Sequence, residues 1–261
     1  MRSPLFVQSL EKAMKVLDVF SHGDQYISLG EIAVLAGLEK TSAQRAVYTL
    51  VELGYLEKDS RTNRVSLGKR CLDLSFHYLR THPLVKAATP VLMKLRNDCG
   101  ERTNMSLYDG AWLVHVIRLP GKHEDFFFST LIGRRMPTFC SAGGRAMLSC
   151  LPTAEMEAII ARADLSPLTR DTITEPERIY ERIRLVGERG YGMAVGESAP
   201  GELAVGAAIR DAGGRPLAAV HIAGNLSAWA PEPFETRFAP LVVEVAAALS
   251  AHAAPAQSKA G

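Results

Sequence analysis

The chain has 261 residues, of which 47% are hydrophobic and 22% charged, and its formal net charge is +2. This length is sufficient for two domains, and the composition is typical of a globular protein. No apolar run reaches the roughly 18 residues that a membrane span requires, and the first residues lack the apolar core of a signal peptide, so no membrane partner is expected. Four widely spaced cysteines argue against a disulfide framework or a zinc ribbon, and they favour a reducing, cytoplasmic location.

Three short helices are predicted in the first part of the chain, within residues 7–53. Apolar residues at helical spacing in VQSLEKAMKVLDVFS predict the first. The second is predicted to begin with a capping box between Ser28 and Glu31 and to end at Gly37. The third is predicted to begin in the same way, with Thr41 and Gln44, and to end at Gly54.

The second and third helices have the layout of a helix-turn-helix motif. The small residue Ala33 lies four positions before Gly37, which can take a positive φ at the turn. Several side chains of the third helix face outward and can donate hydrogen bonds to base edges and phosphates in a major groove. These candidates are Thr41, Ser42, Gln44, Arg45, Tyr48 and Thr49. A plain three-helix bundle with a polar surface is the alternative interpretation.

A basic segment follows the third helix. Short strands are predicted at Tyr55–Leu56 and at Val65–Leu67, and together they would form a wing that contacts the DNA backbone. Its cationic candidates are Lys58, Arg61 and Arg64. On charge alone, a solvated surface segment explains these residues equally well, so the wing depends on the motif beside it.

The rest of the chain predicts a linker helix over 68–83 and then an α+β domain with an antiparallel sheet. The elements predicted within this domain follow a mixed order along the chain. They are a helix over 84–99, a hairpin at Asp109–Gly110, a strand in DFFFST (125–130), helices near 142–150, 153–163 and 174–190, three strands within 191–223, and a helix over 233–252. The tail, residues 253–261, is expected to be disordered.

The segment FCSAGGRAML, residues 139–148, raises the question of catalysis. Cys140 and Ser141 do not stand in a GxSxG motif, and no phosphate-binding GxxxxGK[ST] motif is present. No spacing rule selects His115, His123 or His221 as a catalytic base. We therefore expect neither catalysis nor a cofactor nor a metal site.

The same segment has the features of a recognition site. Ser141, Ala142, Gly143 and Gly144 precede a predicted helix, where free N–H groups bind carboxylates and small residues allow close approach. We expect an effector site at this loop. Arg145, which follows it, is open between a charge on the helix surface and an anion contact.

The order and spacing of several fragments, from Val7 to Ala251, resemble the IclR family of bacterial transcriptional regulators. The fragments include SLGEIAVLAGLEKTSAQRAVYTLVELGYLEKD, VSLGKRCLDL, GRRMPTFCSAGGRAMLSCLP, LTRDTITEPERI and ERGYGMAVGESAPGELAVGAAIRDAGGRPLAAVHIAG. The resemblance implies a winged helix-turn-helix domain (1–67), a linker helix (68–83) and a GAF-like domain for effector binding and oligomerisation (84–252). It also implies a dimer or tetramer that binds a double-stranded DNA operator under the control of a small-molecule effector.

The resemblance further implies a set of residues that line the effector pocket. In this sequence they are Ser141, Ala142, Gly143, Gly144, Ala194, Glu197, Ala204, His221 and Ala223. The chain departs from the family where acidic residues often follow position 191, and His221 and Ala223 replace two serines typical of members that bind small keto acids. These departures argue against a glyoxylate-like ligand and favour a larger, partly apolar acid, aromatic ones included, whose carboxylate meets the 141–144 amides or His221. A ligand-binding module or an enzyme without a DNA role is the alternative.

Overall fold

A computed structural model describes residues 3–22, 26–122 and 132–253 of the chain. Its helices are α1 (Gln8–Asp18), α2 (Leu29–Leu35), α3 (Lys40–Glu52), α4 (Arg70–Thr81), α5 (Pro83–Cys99), α6 (Ala142–Leu148), α7 (Thr153–Arg162), α8 (Pro176–Arg189) and α9 (Pro231–Ala251). Its strands are β1 (Leu56–Lys58), β2 (Val65–Leu67), β3 (Arg102–Asp109), β4 (Trp112–Leu119), β5 (Arg135–Pro137), β6 (Gly192–Val195), β7 (Glu202–Arg210) and β8 (Pro216–Asn225). Contacts divide the chain into two units after Leu79.

The first unit has one hydrophobic core beneath three helices and a two-stranded hairpin. Its buried members come from every element between α1 and β2, and they are Val16, Val19, Phe20, Ile27, Ile32, Val47, Leu50, Leu56 and Val65. Strands β1 and β2 pair antiparallel, with Leu56 opposite Leu67 and Lys58 opposite Val65. The three helices and the two-stranded wing predicted from the sequence are therefore present. Only one side of α3 is buried in this core.

The turn between α2 and α3 explains where the prediction succeeded and where it failed. Ser28 and Glu31 form the predicted capping box at the start of α2. Gly37 takes a φ of 61°, and the Leu38 N–H donates to the Ala33 carbonyl at 2.9 Å, which closes the end of α2 tightly. The predicted start of α3 was wrong, because this tight turn lets the helix begin at Lys40 with Glu39 as its N-cap and no side-chain cap. Thr41 and Gln44 thus lie inside the helix.

The second unit is built on a six-stranded antiparallel sheet with the order β5-β4-β3-β8-β7-β6. Successive residues of a strand point to opposite faces, so each strand supplies two layers. Helices α5 and α9 pack together on one face, where Thr103 donates to the Leu92 carbonyl of α5. Helix α6 covers the other face over β6, β7 and β8, with α8 beside it. The α+β class predicted from the sequence is confirmed.

Two details of this unit differ from their predictions. Asp109 pairs with Trp112, so the two loop residues of the hairpin are Gly110 and Ala111 rather than Asp109 and Gly110. Only the first of them has a positive φ, 64° at Gly110, which matches a turn with glycine at its first central position. The helix predicted over 68–83 ends at Thr81. Helix α5 then begins at Pro83, and proline suits the first position of a helix because the N–H that it lacks would have no partner there.

Two predictions fall outside the described residues: the strand in DFFFST and the disordered tail beyond Ala253. No helix within the described ranges is both long and apolar enough to cross a membrane.

Candidate DNA-binding face and effector site

Helix α3 presents a polar face opposite its buried one. Ala43, Val47 and Leu50 are buried in the core of the first unit. The predicted DNA contacts Thr41, Gln44, Arg45, Tyr48 and Thr49 are all exposed. The arrangement leaves an amide, a guanidinium and a phenol side by side on an accessible helix, which suits hydrogen bonding to base edges.

Two members of the predicted set have partners within the protein. Ser42 is half-buried and accepts a hydrogen bond from Lys12 of α1 at 3.3 Å. The Thr49 hydroxyl donates to the Arg45 carbonyl at 2.9 Å, one turn back in the same helix. The structure therefore turns Ser42 towards α1, and the exposed centre of the face is formed by Gln44, Arg45 and Tyr48.

The wing ends in a tightly hydrogen-bonded turn. The Asp59 carboxylate accepts from the Arg61 N–H at 2.8 Å and from the Thr62 hydroxyl at 2.7 Å. These bonds hold the pKa of Asp59 below its ordinary value, with the Thr62 bond as the largest cause. Asn63 takes a left-handed φ of 57°, a conformation that asparagine tolerates well. The turn leaves the side chains of Lys58 and Arg61 exposed.

Arg64 differs from the other two wing cations. Its Nη1 donates to the Tyr26 carbonyl at 2.9 Å and lies 3.4 Å from Oε2 of Glu31. Glu31 also accepts from the Ser28 N–H at the start of α2. Arg64 thus ties the wing to the N-terminal end of α2, and its role as a phosphate contact stays a prediction.

In the second unit, Arg145 is neither a surface charge nor a free anion contact. It is 1% exposed, and its guanidinium forms a bidentate ion pair with Glu197, at 2.7 Å from Nη1 to Oε1 and 2.5 Å from Nη2 to Oε2. The Nε donates to the Phe139 carbonyl at 2.8 Å. The Glu197 carboxylate, predicted as an effector contact, is therefore already paired, and its contact with an effector stays a prediction.

The predicted effector loop is closely packed. Ser141, Ala142, Gly143 and Gly144 are all buried. A Cβ on Gly143 would overlap Cε1 of His221, and a Cβ on Gly144 would overlap the Thr138 carbonyl. The small residues of this loop allow α6 to lie directly on the sheet, which is a different use from exposing backbone to a ligand. Helix α6 has seven residues, and the carboxylate contact predicted for the amides at its N-terminus stays a prediction.

The strands bring the remaining predicted residues together. Ala194, Ala204 and Ala223 are opposite one another on β6, β7 and β8 and form one cross-strand row. The next row contains Gly206 and His221. The row of alanines and the neighbouring His221 lie on the sheet beneath α6, since His221 contacts Gly143.

Three polar residues that the sequence reasoning did not assign to this site lie on the same face. Asn104 of β3 is opposite His221, and Ser106 of β3 is opposite both His115 and Ala219. The Ser106 hydroxyl lies 2.8 Å from Nδ1 of His115, and the rings of His115 and His221 are 6.0 Å apart. A signal was available, because Asn104 and Ser106 alternate with Met105 and Leu107 in a strand.

Burial controls the charge of this polar group. Desolvation lowers the pKa of His221 to about 4, and the charges of Arg102 and Arg118 add to the effect. Desolvation is also the largest cause that holds the pKa of His115 well below its ordinary value, and His221 and three arginines act in the same direction. Both imidazoles are therefore neutral at pH 7. Arg102, one of the cations that acts on His221, is ion-paired with Glu202.

The residues considered for catalysis do not form a catalytic group. Burial raises the pKa of the Cys140 thiol to about 12, and the Ser141 hydroxyl donates to the Pro137 carbonyl at 2.9 Å. His123 lies outside the described residues. Within the described part of the chain, no group of three or more histidine, cysteine or acidic side chains is arranged to hold a metal ion.

Comparison with known families gives two matches that together cover most of the chain. Residues 9–60 match the IclR helix-turn-helix domain, and residues 76–251 match the family described as bacterial transcriptional regulator IclR C-terminal.

Three similar proteins agree with these matches. The HTH-type transcriptional regulator KipR of Bacillus subtilis (strain 168) is 31% identical over 231 residues, which are 88% of each protein. The crystal structure of the Thermotoga maritima IclR is 25% identical, with a TM-score of 0.69 over 94% of this chain and 98% of that one. An IclR homolog from Microbacterium hydrocarbonoxydans, crystallised with 4-hydroxybenzoate, is 22% identical with a TM-score of 0.73 over 93% and 98% of the chains, and shows the fold alone. The relatives support a regulator over an enzyme.

Proposed function

This chain belongs to the IclR family of bacterial transcriptional regulators, and from that premise we propose how it contacts its operator. Helix α3 enters the major groove and presents Gln44, Arg45 and Tyr48 to base edges, with Thr41 and Thr49 at the sides. Lys58 and Arg61 of the wing contact phosphates of the adjacent backbone. The observation that carries this proposal is the set of exposed hydrogen-bonding side chains on α3. They lie opposite the face on which Ala43, Val47 and Leu50 are buried in the core.

The proposed effector is an organic acid, with aromatic acids as the favoured class. The supporting features are the cross-strand row of small apolar residues Ala194, Ala204 and Ala223 and the guanidinium groups of Arg102 and Arg118 that act on His221. A homolog of the same fold was crystallised with 4-hydroxybenzoate, which makes that acid a reasonable first probe. The predicted set Ser141, Ala142, Gly143, Gly144, Glu197 and His221 would form the rest of the site.

The protein is proposed to act in the cytoplasm as a homodimer or homotetramer. Helix α4 buries none of its residues, and the apolar side chains of Leu72, Leu74, Phe76 and Tyr78 are exposed on it. Such an apolar helix is typical of an interface between identical copies. A two-fold dimer would read a two-fold operator, and an effector would change operator affinity only by binding one arrangement of the dimer more tightly than the other.

The test is retardation of a DNA fragment from upstream of the protein's own gene, with and without 4-hydroxybenzoate. We expect binding that is selective for this fragment and falls steeply with salt. The Arg45→Ala variant is expected to weaken it, and Arg170→Ala, an exposed arginine of the second unit, serves as the matched control. Retention of selective binding by Arg45→Ala would contradict the assigned face, and absence of any binding would favour a ligand-binding module without a DNA role.

A further inference from the structure

Two buried polar atoms at directly opposite positions of β3 and β8 lack a hydrogen-bond partner among residues 3–22, 26–122 and 132–253. They are Oδ1 of Asn104 and Nε2 of His221. Asn104 is 4% exposed and His221 is 5% exposed, so solvent does not satisfy either atom. A buried polar atom without a partner destabilises a folded protein, and such atoms are rare in native structures. Two of them together need an explanation.

The two atoms are neighbours. Asn104 and His221 are directly opposite in the antiparallel pair of β3 and β8. Side chains at opposite positions share a face of the sheet, with Cβ atoms about 4.5–5.5 Å apart. One small group can therefore reach both. His221 also contacts Gly143 at the start of α6, so this point lies directly under the predicted effector loop.

The chemistry of the two atoms selects the group that would pair with them. An amide oxygen only accepts a hydrogen bond, whereas Nε2 of a neutral imidazole donates in one tautomer and accepts in the other. A hydroxyl group serves both, because it donates to Oδ1 and accepts from the Nε2–H. A carboxylate accepts only, so it would pair with His221 and leave Asn104 unsatisfied.

The charge around the two atoms adds a second requirement. Arg102 and Arg118 are the charged groups that act on His221, and both are cationic. Arg102 is itself ion-paired with Glu202 of β7. A ligand that carries a carboxylate elsewhere in its structure can interact with these guanidinium groups.

We propose that Asn104 and His221 bind the hydroxyl group of a hydroxyl-bearing organic acid in the effector domain. This inference rests on the proposed function, since it names the chemical class of the effector. The unpartnered atoms then destabilise the ligand-free protein, and the ligand removes this destabilisation when it binds. Functional sites commonly break a packing rule in this way.

The first test is a matched pair of ligands on the wild-type protein. Affinities for 4-hydroxybenzoate and benzoate, which differ only by a hydroxyl, are measured by calorimetry. We expect 4-hydroxybenzoate to bind at least about 10-fold more tightly, because a site built for a hydroxyl discriminates against the ligand that lacks it. Equal affinities, or no binding of either acid, would overturn the inference. In that case, selective retardation of the operator fragment would still support the proposed function. If that retardation were absent as well, both the inference and the proposed function would be contradicted.

The second test uses a matched pair of variants. Asn104→Val removes the unpartnered amide oxygen from β3, and Ser106→Ala removes a hydroxyl of the same strand that is already bonded to His115 of β4. Without ligand, Asn104→Val is expected to raise the melting temperature by about 2–6 °C, whereas Ser106→Ala lowers it by a similar amount. Asn104→Val is also expected to bind the two acids with affinities within about two-fold of each other. A lower melting temperature for Asn104→Val, or retained discrimination between the acids, would overturn the inference.

Discussion

The guanidinium of Arg145 is joined to the carboxylate of Glu197 by two hydrogen bonds of 2.7 and 2.5 Å in the interior of the second unit. The pair links α6 to the segment after β6. Arg145 also donates to the carbonyls of Phe139 and Met193, and Glu197 accepts from the Ile173 N–H at 3.4 Å. Three separate segments of the chain therefore meet at one ion pair.

Removing one partner of this pair is expected to destabilise the protein strongly. Arg145→Met leaves a buried carboxylate without its cation, and we expect a loss of about 3–5 kcal/mol in the free energy of unfolding. Arg145→Met combined with Glu197→Leu is expected to recover most of the loss, because no buried charge then remains. Urea unfolding measures both. Arg184→Ala, which breaks an exposed pair with Glu188, is the control and should cost under about 1 kcal/mol.

Stability is expected to fall on mild acidification through His221. Its pKa in the folded protein is lowered to about 4, so the unfolded chain, with an ordinary value near 6.5, takes up the proton first. The contribution of His221 is present above pH 6.5 and is lost as the pH falls towards 4. Between pH 7.5 and pH 5.0 we expect it to account for about 2 kcal/mol.

The measurement is urea unfolding at both pH values. His221→Gln should lose about 2 kcal/mol less than the wild type between them, and His77→Gln, at an exposed histidine of α4, should follow the wild type. An unchanged pH dependence in His221→Gln would mean that this imidazole is not the group responsible.

A single methyl group at Gly143 is expected to separate α6 from the sheet. The added Cβ would overlap the His221 ring and lie 2.8 Å from Cβ of Ala219. We expect Gly143→Ala to cost about 1–3 kcal/mol through overpacking. Gly187→Ala is the matched control, because this glycine lies in α8 with nothing within 4 Å of the new Cβ, and it should gain up to about 1 kcal/mol. Thermal unfolding of the two variants compares them directly.

The wing arginines are expected to respond differently to replacement by lysine. Arg61 is exposed at the tip, so Arg61→Lys keeps a cation there and should change operator affinity by less than about three-fold, whereas Arg61→Ala reduces the salt slope by about 1. The guanidinium of Arg64 donates to the Tyr26 carbonyl and lies close to the Glu31 carboxylate. A lysine ammonium lacks the planar, forked geometry that makes both contacts at once.

Arg64→Lys should therefore weaken operator binding nearly as much as Arg64→Ala. Retardation at several salt concentrations measures these effects. Full rescue by lysine at position 64 would assign Arg64 to a phosphate instead.

Local signals account for what the sequence predicted well. The capping box at Ser28 and Glu31, the turn at Gly37 and the apolar spacing of α1 and α3 all operate within a few residues, so the helix-turn-helix could be derived without knowledge of the rest. The wrong prediction of where α3 begins has the same origin. Thr41 and Gln44 match the local capping pattern, but the turn before them determines the first residue of the helix.

Long-range relationships account for what the sequence did not predict. Arg145 and Glu197 are 52 residues apart, and no periodicity connects them. Asn104 and His221 become neighbours only because β3 lies beside β8 in the sheet, an order that strand patterns do not specify. The packing of Gly143 against His221 depends in turn on where α6 lies on the sheet.

The contact between Gly143 and His221 also constrains how this protein can evolve. The ring at position 221 occupies the space that a side chain at position 143 would need, so neither position can change freely while the other is kept. A smaller residue at 221 would remove the overlap with the ring but not the 2.8 Å approach to Cβ of Ala219, so it would lower the cost of alanine at 143 without removing it. The reverse order of substitution passes through a more strongly destabilised intermediate. In homologous sequences, the two positions should therefore covary in size, and a shift in effector preference that replaces His221 should be accompanied by a change at the start of α6.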